Sequence, residues 1–359
     1  MMTGARNQSL DALRGIAILL VLGRHFGYYS LWYKIGWAGV DLFFVLSGFL
    51  ISGLLFREYI ETGKIRFGRF IVRRAFKIWP PLYIFLLVIS LFIARGAAQF
   101  PWADVLHSAL FVRNYYMSRQ GSYILGHTWS LCVEEHFYLL LPLLLVSMIR
   151  MQKSVRAVIP LFVVSAAACL WLRIALRPED AYATHFRIDD LFAGVALGYL
   201  YHFRADWFRK LTGHSSLLVA AILVSPVARF EWRDRDLQTW GLTSILLGFA
   251  LLLAWSVSRK PPMLLKPLAK VGVFSYSIYL WQQPVSMLFL KLGSSSAVVY
   301  WLYVCAAIAT GVIMAKLIEF PALRLRDRLL SIQKREGSAT ASRRAHDRHR
   351  EILHARVAQ

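Results

Sequence analysis

LDALRGIAILLVLGRHFGYY at residues 10–29 and GWAGVDLFFVLSGFLISGLLF at residues 36–56 decide the fold. Both are apolar enough to cross a bilayer, whose hydrocarbon core takes about 20 helical residues. Yet the first carries Arg14 and His25, and the second carries Asp41 and Ser47. An ionisable group at the centre of a membrane helix costs roughly 3 kcal/mol on insertion scales and by default marks function. Arg14 and His25 are eleven residues apart. At about 3.6 residues per turn this puts both on one helix face, roughly 16 Å apart along the axis. That face then holds a cation near the membrane edge and an imidazole well inside. Spacing alone leaves a plainer account open, in which Arg14 snorkels to the headgroups and His25 satisfies a buried carbonyl.

The same apolar character runs through the chain. Hydrophobic residues make up 57% of its 359 residues and charged ones 17%, which reads as a polytopic helical membrane protein rather than one or two soluble domains. The expected spans are about 11–29, 37–56, 80–95, 128–149, 157–176, 187–203, 215–230, 240–257, 271–291 and 298–320. This is an all-α bundle of about ten transmembrane helices. No small-residue cleavage site follows the polar start, so the first span is expected to be retained. Residues 1–322 form the membrane domain. The Arg-rich segment 323–359 reads as a flexible basic tail, solvated or lying on the membrane surface.

The net charge of +22 suggests nucleic acid at first sight, but no recognition fold accompanies it. The Lys and Arg residues gather in alternate connections, as cytoplasmic loops do. REYIETGKIRFGRFIVRRAFKIWPP (57–81) alone holds Arg57, Lys64, Arg66, Arg69, Arg73, Arg74 and Lys77. This places both termini in the cytoplasm, in a multi-pass protein of the cell inner membrane. Pro80-Pro81 reads as the entry to the third span. Cys132, Cys169 and Cys305 each lie in an apolar span and look like packing residues, with no disulfide framework or metal site.

Four polar clusters interrupt the apolar background. The first is Arg14 and His25 with Asp41 and Ser47. The second, Arg73, Arg74 and Lys77, suits anionic lipid headgroups or the phosphates of a soluble cofactor. The third is HTWSLCVEEHFYLLLP (127–142), where His127, Ser130 and Glu134 recur over two helical turns and share a face. Its paired Glu134 and Glu135 could serve a histidine as proton partners, or simply favour a helix start. The fourth is RIDDLFAGVALGYL (187–200), with Arg187, Asp189 and Asp190, where an internal ion pair is the plain account. Gln282 and Gln283 in YSIYLWQQP (276–284) could bridge helices by hydrogen bonds.

Taken in order, LDALRGIAILLVLGRHF, GVDLFFVLSGFLISG, RRAFKIWPPLY, HTWSLCVEEHFYLLLP and YSIYLWQQP resemble the acyltransferase-3 family of integral membrane O-acyltransferases, over residues 8–320. The resemblance implies transfer of an acetyl or other short acyl group from cytoplasmic acyl-CoA to a hydroxyl. The acceptor would be a surface polysaccharide, O-antigen, oligosaccharide or other small molecule. Acyl-CoA, most simply acetyl-CoA, would be a co-substrate, with no permanently bound cofactor and no metal. The family's Arg/Lys-x10-His motif falls on Arg14 and His25. Its Arg-x-x-Arg motif falls on Arg74 and Lys77, where Lys keeps charge but loses bidentate phosphate geometry. Its Trp-Ser-Leu-x-x-Glu element falls on Trp129, Ser130, Leu131 and Glu134. Its Trp-His-x-Pro is Trp281-Gln282-Gln283-Pro284 here, and Gln282 cannot titrate. Only a short tail follows the last span, so the fused extracytoplasmic domain of many members is not expected.

These implications give His25 the role of general base, with Glu134 or Glu135 orienting the imidazole. Arg14, Arg73, Arg74 and Lys77 would bind acyl-CoA. Asp41, Ser47, His127, Ser130, Arg187 and Asp189 would be acceptor-binding or structural polar groups. The expected partners are acyl-CoA, a carbohydrate or other hydroxyl acceptor, and the lipid bilayer. The rival from another class is a transporter or flippase for a glycan or lipid-linked sugar.

Overall fold

The structure, a computed structural model, describes residues 7–26, 29–96, 100–117, 123–151, 155–291 and 296–331. Among these residues it is all-helical. Asn7 opens α1 (Gln8–His25), its side-chain oxygen accepting from the backbone N–H of Ser9 at 2.9 Å, an N-cap that satisfies orphan donors. The short α2 (Ser30–Ile35) turns through Gly36 into α3 (Ala38–Thr62), which ends at Gly63 in the left-handed region at φ +66. There follow α4 (Phe67–Ala94), α5 (Trp102–Ala109), the single turn α6 (Tyr123–Gly126) and α7 (Thr128–Arg150). Next come α8 (Val158–Leu176), α9 (Thr184–Phe203), α10 (Ala205–Lys210), α11 (His214–Val224) and α12 (Pro226–Arg229). A π-helical turn, Leu237–Gly241, leads into α13 (Leu242–Val257). The chain closes with α14 (Lys266–Val273), α15 (Ser275–Lys291) and α16 (Ala297–Met314).

Among the described residues, six helical stretches are long and apolar enough to cross a membrane: Ala38–Thr62, Phe67–Ala94, Tyr123–Arg150, Val155–Leu176, Leu237–Val257 and Ala297–Ser331. The other four expected spans fall on α1, α9, the α11–α12 stretch and α15. Two of these hold the charges that make them interesting: Asp11, Arg14 and Arg24 in α1, and Arg187, Asp189 and Asp190 in α9. Charge there lowers the apolarity of these helices, so the hydropathy signal is weakest where the ionisable groups are densest.

One expectation is corrected outright. The third helix does not start at Pro80. It starts at Phe67, after a tight turn at Gly63, and runs through both prolines to Ala94. Arg73, Arg74 and Lys77 therefore sit on a helix, not in a loop ahead of one. Neighbouring helices tolerate such prolines by re-satisfying the backbone. Beside these prolines the Tyr276 hydroxyl of α15 donates to the Ile78 carbonyl at 2.7 Å, which ties the two helices together there. The last helix runs through a π-helical segment, Ala315–Glu319, on to Ser331. The tail expected from Leu323 thus begins inside this helix, and its remainder lies outside the described residues.

Burial orders the bundle. Of the most apolar window in α3, 67% is buried, against 17% in α8. So α3 is central, and α8 turns Val163, Val164, Trp171 and Ile174 outward to lipid. In the α3–α9 contact, backbone meets backbone. A Cβ on Gly48 would strike the Leu191 carbonyl, and one on Gly194 would strike the Val45 carbonyl. Small residues let membrane helices approach to backbone contact. Gly194→Val is therefore expected to destabilise the protein by about 1–3 kcal/mol through overpacking against backbone that cannot yield. A thermal unfolding scan in detergent checks this, with the outward-facing Val164→Ala, expected to be near neutral, as control.

Candidate active site

A cavity of about 860 Å³ opens between α1, α3, α4, α7, α15 and the last helix. It is strongly basic. Arg14 comes from α1, Arg57 from α3, Arg66, Arg69, Arg73, Arg74 and Lys77 from α4 and the turn before it, and Arg326 from the last helix. Glu58, Glu61 and Glu134 are the acids on its wall. Its inner end, next to His127, is made by the hydroxyls of Ser130 and Tyr279, while Tyr138 and Tyr276 stand against Arg74 and Lys77. The helical start of α4 explains the crowding: Phe67 onward winds Arg69, Arg73 and Lys77 at intervals of four onto one face. Bringing so many guanidinium groups together is electrostatically costly in a partly buried site. A polyanion offsets that cost.

The structure brings most of the expected residues to this cavity. Arg14, Ser47, Arg73, Arg74, Lys77, Ser130 and Glu134 all line it. Arg74 faces Arg14, Glu134 and Arg326, and its guanidinium lies 5.7 Å from the Tyr138 ring. The Glu134 carboxyl faces the hydroxyls of Ser47 and Tyr138, themselves 2.7 Å apart. Lys77 has a partner that sequence reasoning missed. It pairs with the fully buried Glu319, which also accepts from the Ser277 hydroxyl at 2.6 Å. Lys77 is thus already partly neutralised. Arg326, close to both Arg73 and Arg74, is the added cation. It was missed because it lies in the segment read as a free tail.

His25 is placed differently. It is the last residue of α1, rather than well inside a longer helix. Its carbonyl accepts from the Ser286 hydroxyl at 2.7 Å and the Tyr123 hydroxyl at 3.1 Å. Its Nε2 is buried without a hydrogen-bond partner among the described residues. The titratable groups set against the imidazole are His127 and Arg24. The expected pairing with a glutamate is not formed among the described residues: Glu134 faces the basic cavity, and Glu135 accepts from Trp79 Nε1 at 3.3 Å.

His25 does not line the cavity either, but a short polar column links the two. Ser130 and Tyr279 close the inner end, their hydroxyls 2.6 Å apart. The Tyr279 hydroxyl donates to the His127 carbonyl at 2.8 Å. The His127 ring lies 5.3 Å from the Tyr279 ring, and its Nε2 donates to the Leu280 carbonyl at 3.2 Å. His127 in turn faces His25. The seven-residue spacing from His127 to Glu134 thus puts Ser130 and Glu134 on the cavity wall and His127 behind it.

The remaining expected residues form a separate buried network. Arg187 pairs with Asp41 and, at 3.2 Å, with Asp190. Asp189 pairs instead with Arg173 of α8 at 3.0 Å. Arg173 also donates to the Phe186 carbonyl and the Thr243 hydroxyl, each at 2.6 Å. Sequence reasoning missed Arg173, which sits alone at the end of an apolar run.

The protein family described as an acyltransferase domain matches residues 7–318. The peptidoglycan O-acetyltransferase OatA of Listeria monocytogenes serovar 1/2a is 26% identical over 309 residues, covering 77% of this chain and 49% of that protein. The O-acetyltransferase OatA of Staphylococcus aureus (strain NCTC 8325 / PS 47) is 28% identical over 303 residues, 77% of this chain and 50% of the relative. The putative peptidoglycan O-acetyltransferase YrhL of Bacillus subtilis (strain 168) is 29% identical over 331 residues, 84% of this chain and 52% of the relative. The chain spans about half the length of the curated relatives it matches. No solved structure matches it.

Proposed function

The chain belongs to the acyltransferase-3 family, and on that premise we propose that it is a membrane O-acyltransferase. It moves an acetyl or other short acyl group from cytoplasmic acyl-CoA to a hydroxyl of a glycan, with peptidoglycan-type glycan suggested by the relatives' names. The observation that carries this reading is the basic cavity. Its wall gathers many cations, with the hydroxyls of Ser130 and Tyr279 on the side toward His127, which fits a ligand with phosphates at one end and an uncharged arm at the other.

The phosphates of CoA dock on Arg73, Arg74 and Arg326, with Arg14 deeper in. Charge-assisted bonds to phosphate are the strong ones, and guanidinium groups make them bidentate. The pantetheine arm runs along the α1 face, covering much of the roughly 16 Å of axial rise from Arg14 to His25. The thioester passes Ser130 and Tyr279 to reach His25. There Nε2 takes the proton of the acceptor hydroxyl, the oxygen attacks the thioester carbonyl, and CoA leaves as its thiol. The unpartnered Nε2 suits a base whose hydrogen-bond partner is the substrate. Glu134 balances Arg14 and Arg74 and does not orient the imidazole. Ten spans with both termini in the cytoplasm, in the cell inner membrane, put the basic mouth where acyl-CoA is found.

Arg74→Gln is expected to weaken CoA binding roughly 10- to 100-fold, the loss of one charge-assisted contact of about 1.5–3 kcal/mol. Isothermal titration of CoA into the purified chain checks it. Unchanged affinity would remove Arg74 from the donor site.

A further inference from the structure

The Arg187 network carries a cost that the donor cavity does not explain. Arg187 and Asp41 are 1% exposed. Even so, Arg187 Nε and Nη1, Asp41 Oδ2 and Trp37 Nε1 are buried with no hydrogen-bond partner among the described residues. Buried polar atoms in native proteins are nearly always satisfied, so several orphans in one cluster call for a cause. Trp37 and Asp41 are one helical turn apart and share a face of α3.

The orphans sit against an aromatic wall. The Arg187 guanidinium lies 5.9 Å from the Trp129 ring. Trp129 packs on Tyr182 at 4.8 Å between centroids, Tyr182 stacks on Trp232 at 5.9 Å, and Trp232 packs on Trp37 at 5.1 Å. Trp232 is held in place by its Nε1, which donates to Asp180 at 2.7 Å. Tyr182, on the connection between α8 and α9, is the partly exposed member.

We propose that this cluster is the acceptor site and that it takes a neutral pyranose unit; the proposal rests on the acyltransferase reading above. The ligand class follows from the chemistry of the wall. Aromatic faces receive the apolar C–H faces of a sugar ring. The orphaned N–H groups of Trp37 and Arg187 donate to its hydroxyls, and Asp41 Oδ2 accepts from one. An apolar ligand would leave those atoms unpartnered. An anion would meet three carboxylates, Asp41, Asp189 and Asp190, against the two cations Arg187 and Arg173. A cation would meet Arg187 itself. Tyr182 covers the faces of Trp129 and Trp232, so entry of the sugar requires this partly exposed ring to swing aside.

Position supports the assignment. Trp37 adjoins the start of α3, Trp129 lies in the first turn of α7 and Arg187 in the first turn of α9. The turn into α3 packs on the last turn of α1, where Gly36 lies against the Leu20 carbonyl and Arg24 N–H. The cluster is therefore at the end of the bundle that holds His25, away from the basic mouth.

The test uses the full chain in nanodiscs with no donor present. Binding of the β-1,4-linked N-acetylglucosamine disaccharide is followed by saturation-transfer NMR and titration. Wild type is compared with Trp37→Phe, which removes one N–H and keeps a ring, and with Tyr182→Ala. Saturable wild-type binding is expected, weakened roughly five- to tenfold in Trp37→Phe and at least as much in Tyr182→Ala. In transfer assays the acceptor KM should rise in both variants while the acyl-CoA KM stays unchanged. No wild-type binding, or wild-type affinity in both variants, overturns the proposal. Absence of acyl transfer in wild type would instead strike the acyltransferase reading, because the binding measurement needs no donor.

Discussion

His25→Ala is expected to lower acyl transfer by roughly 10²- to 10⁴-fold, the usual contribution of a general base, while leaving CoA affinity at the wild-type level. The two readouts part because of geometry. The imidazole is not on the wall of the basic cavity, and a layer containing Ser130, Tyr279 and His127 stands between them. Removing the ring therefore leaves the phosphate contacts intact. The fold should also survive. The anchoring bonds from Ser286 and Tyr123 go to the His25 carbonyl, which alanine retains. Single-turnover transfer from labelled acyl-CoA, beside a CoA titration on the same preparation, measures both quantities. Transfer at the wild-type rate would remove His25 from the chemistry. Loss of both together would make it a structural residue.

Asp189→Asn is expected to destabilise the protein by about 3–5 kcal/mol, the cost of leaving one member of a fully buried pair uncompensated. Asp189 and Arg173 are both completely buried, and Arg173 ties α8 to α9 and, through Thr243, to α13. With Asn in place, the Arg173 charge keeps two neutral acceptors and loses its carboxylate. The same change at the exposed Arg204–Asp206 pair should be undetectable, because water already solvates both groups. Thermal unfolding of Asp189→Asn and Asp206→Asn in one detergent gives the contrast directly. A small effect at Asp189 would mean that water or a counter-ion reaches Arg173.

The helical character of the chain, and the residues gathered at its basic cavity, were legible in the sequence for physical reasons. Apolar length announces a membrane helix, and charges inside such stretches are too costly to be incidental. Arg14 and Glu134 could be singled out on that ground, Arg74 by the basic run before the third span and Ser130 by its spacing from His127 and Glu134, and the fold brings all four to one cavity. What could not be read is pairing across distance. Nothing local says that Lys77 meets Glu319, which lies 242 residues away, or that Asp189 prefers Arg173 over its neighbour Arg187. The helix start at Phe67 was hidden because Pro80-Pro81 mimics a helix entry, and tertiary contacts such as Tyr276 to Ile78 override that local signal. Arg326 was hidden because a basic run after the last span reads the same whether it is solvated or folded against a cavity. The expected Glu134–His25 pair came from carrying a motif over without its geometry. The helix ends at His25, and the imidazole turns toward His127.

The central claim is that one cavity accepts acyl-CoA from the basic side and delivers its acyl group to a hydroxyl near His25. Its most direct test is reconstitution of the purified chain in proteoliposomes, with labelled acyl-CoA and a saccharide acceptor on opposite sides of the bilayer. The account predicts labelled ester on the acceptor, with neither CoA nor acceptor crossing the membrane, and loss of that ester with His25→Ala. Passage of unmodified saccharide across the bilayer, with no ester formed, would contradict it and identify a transporter.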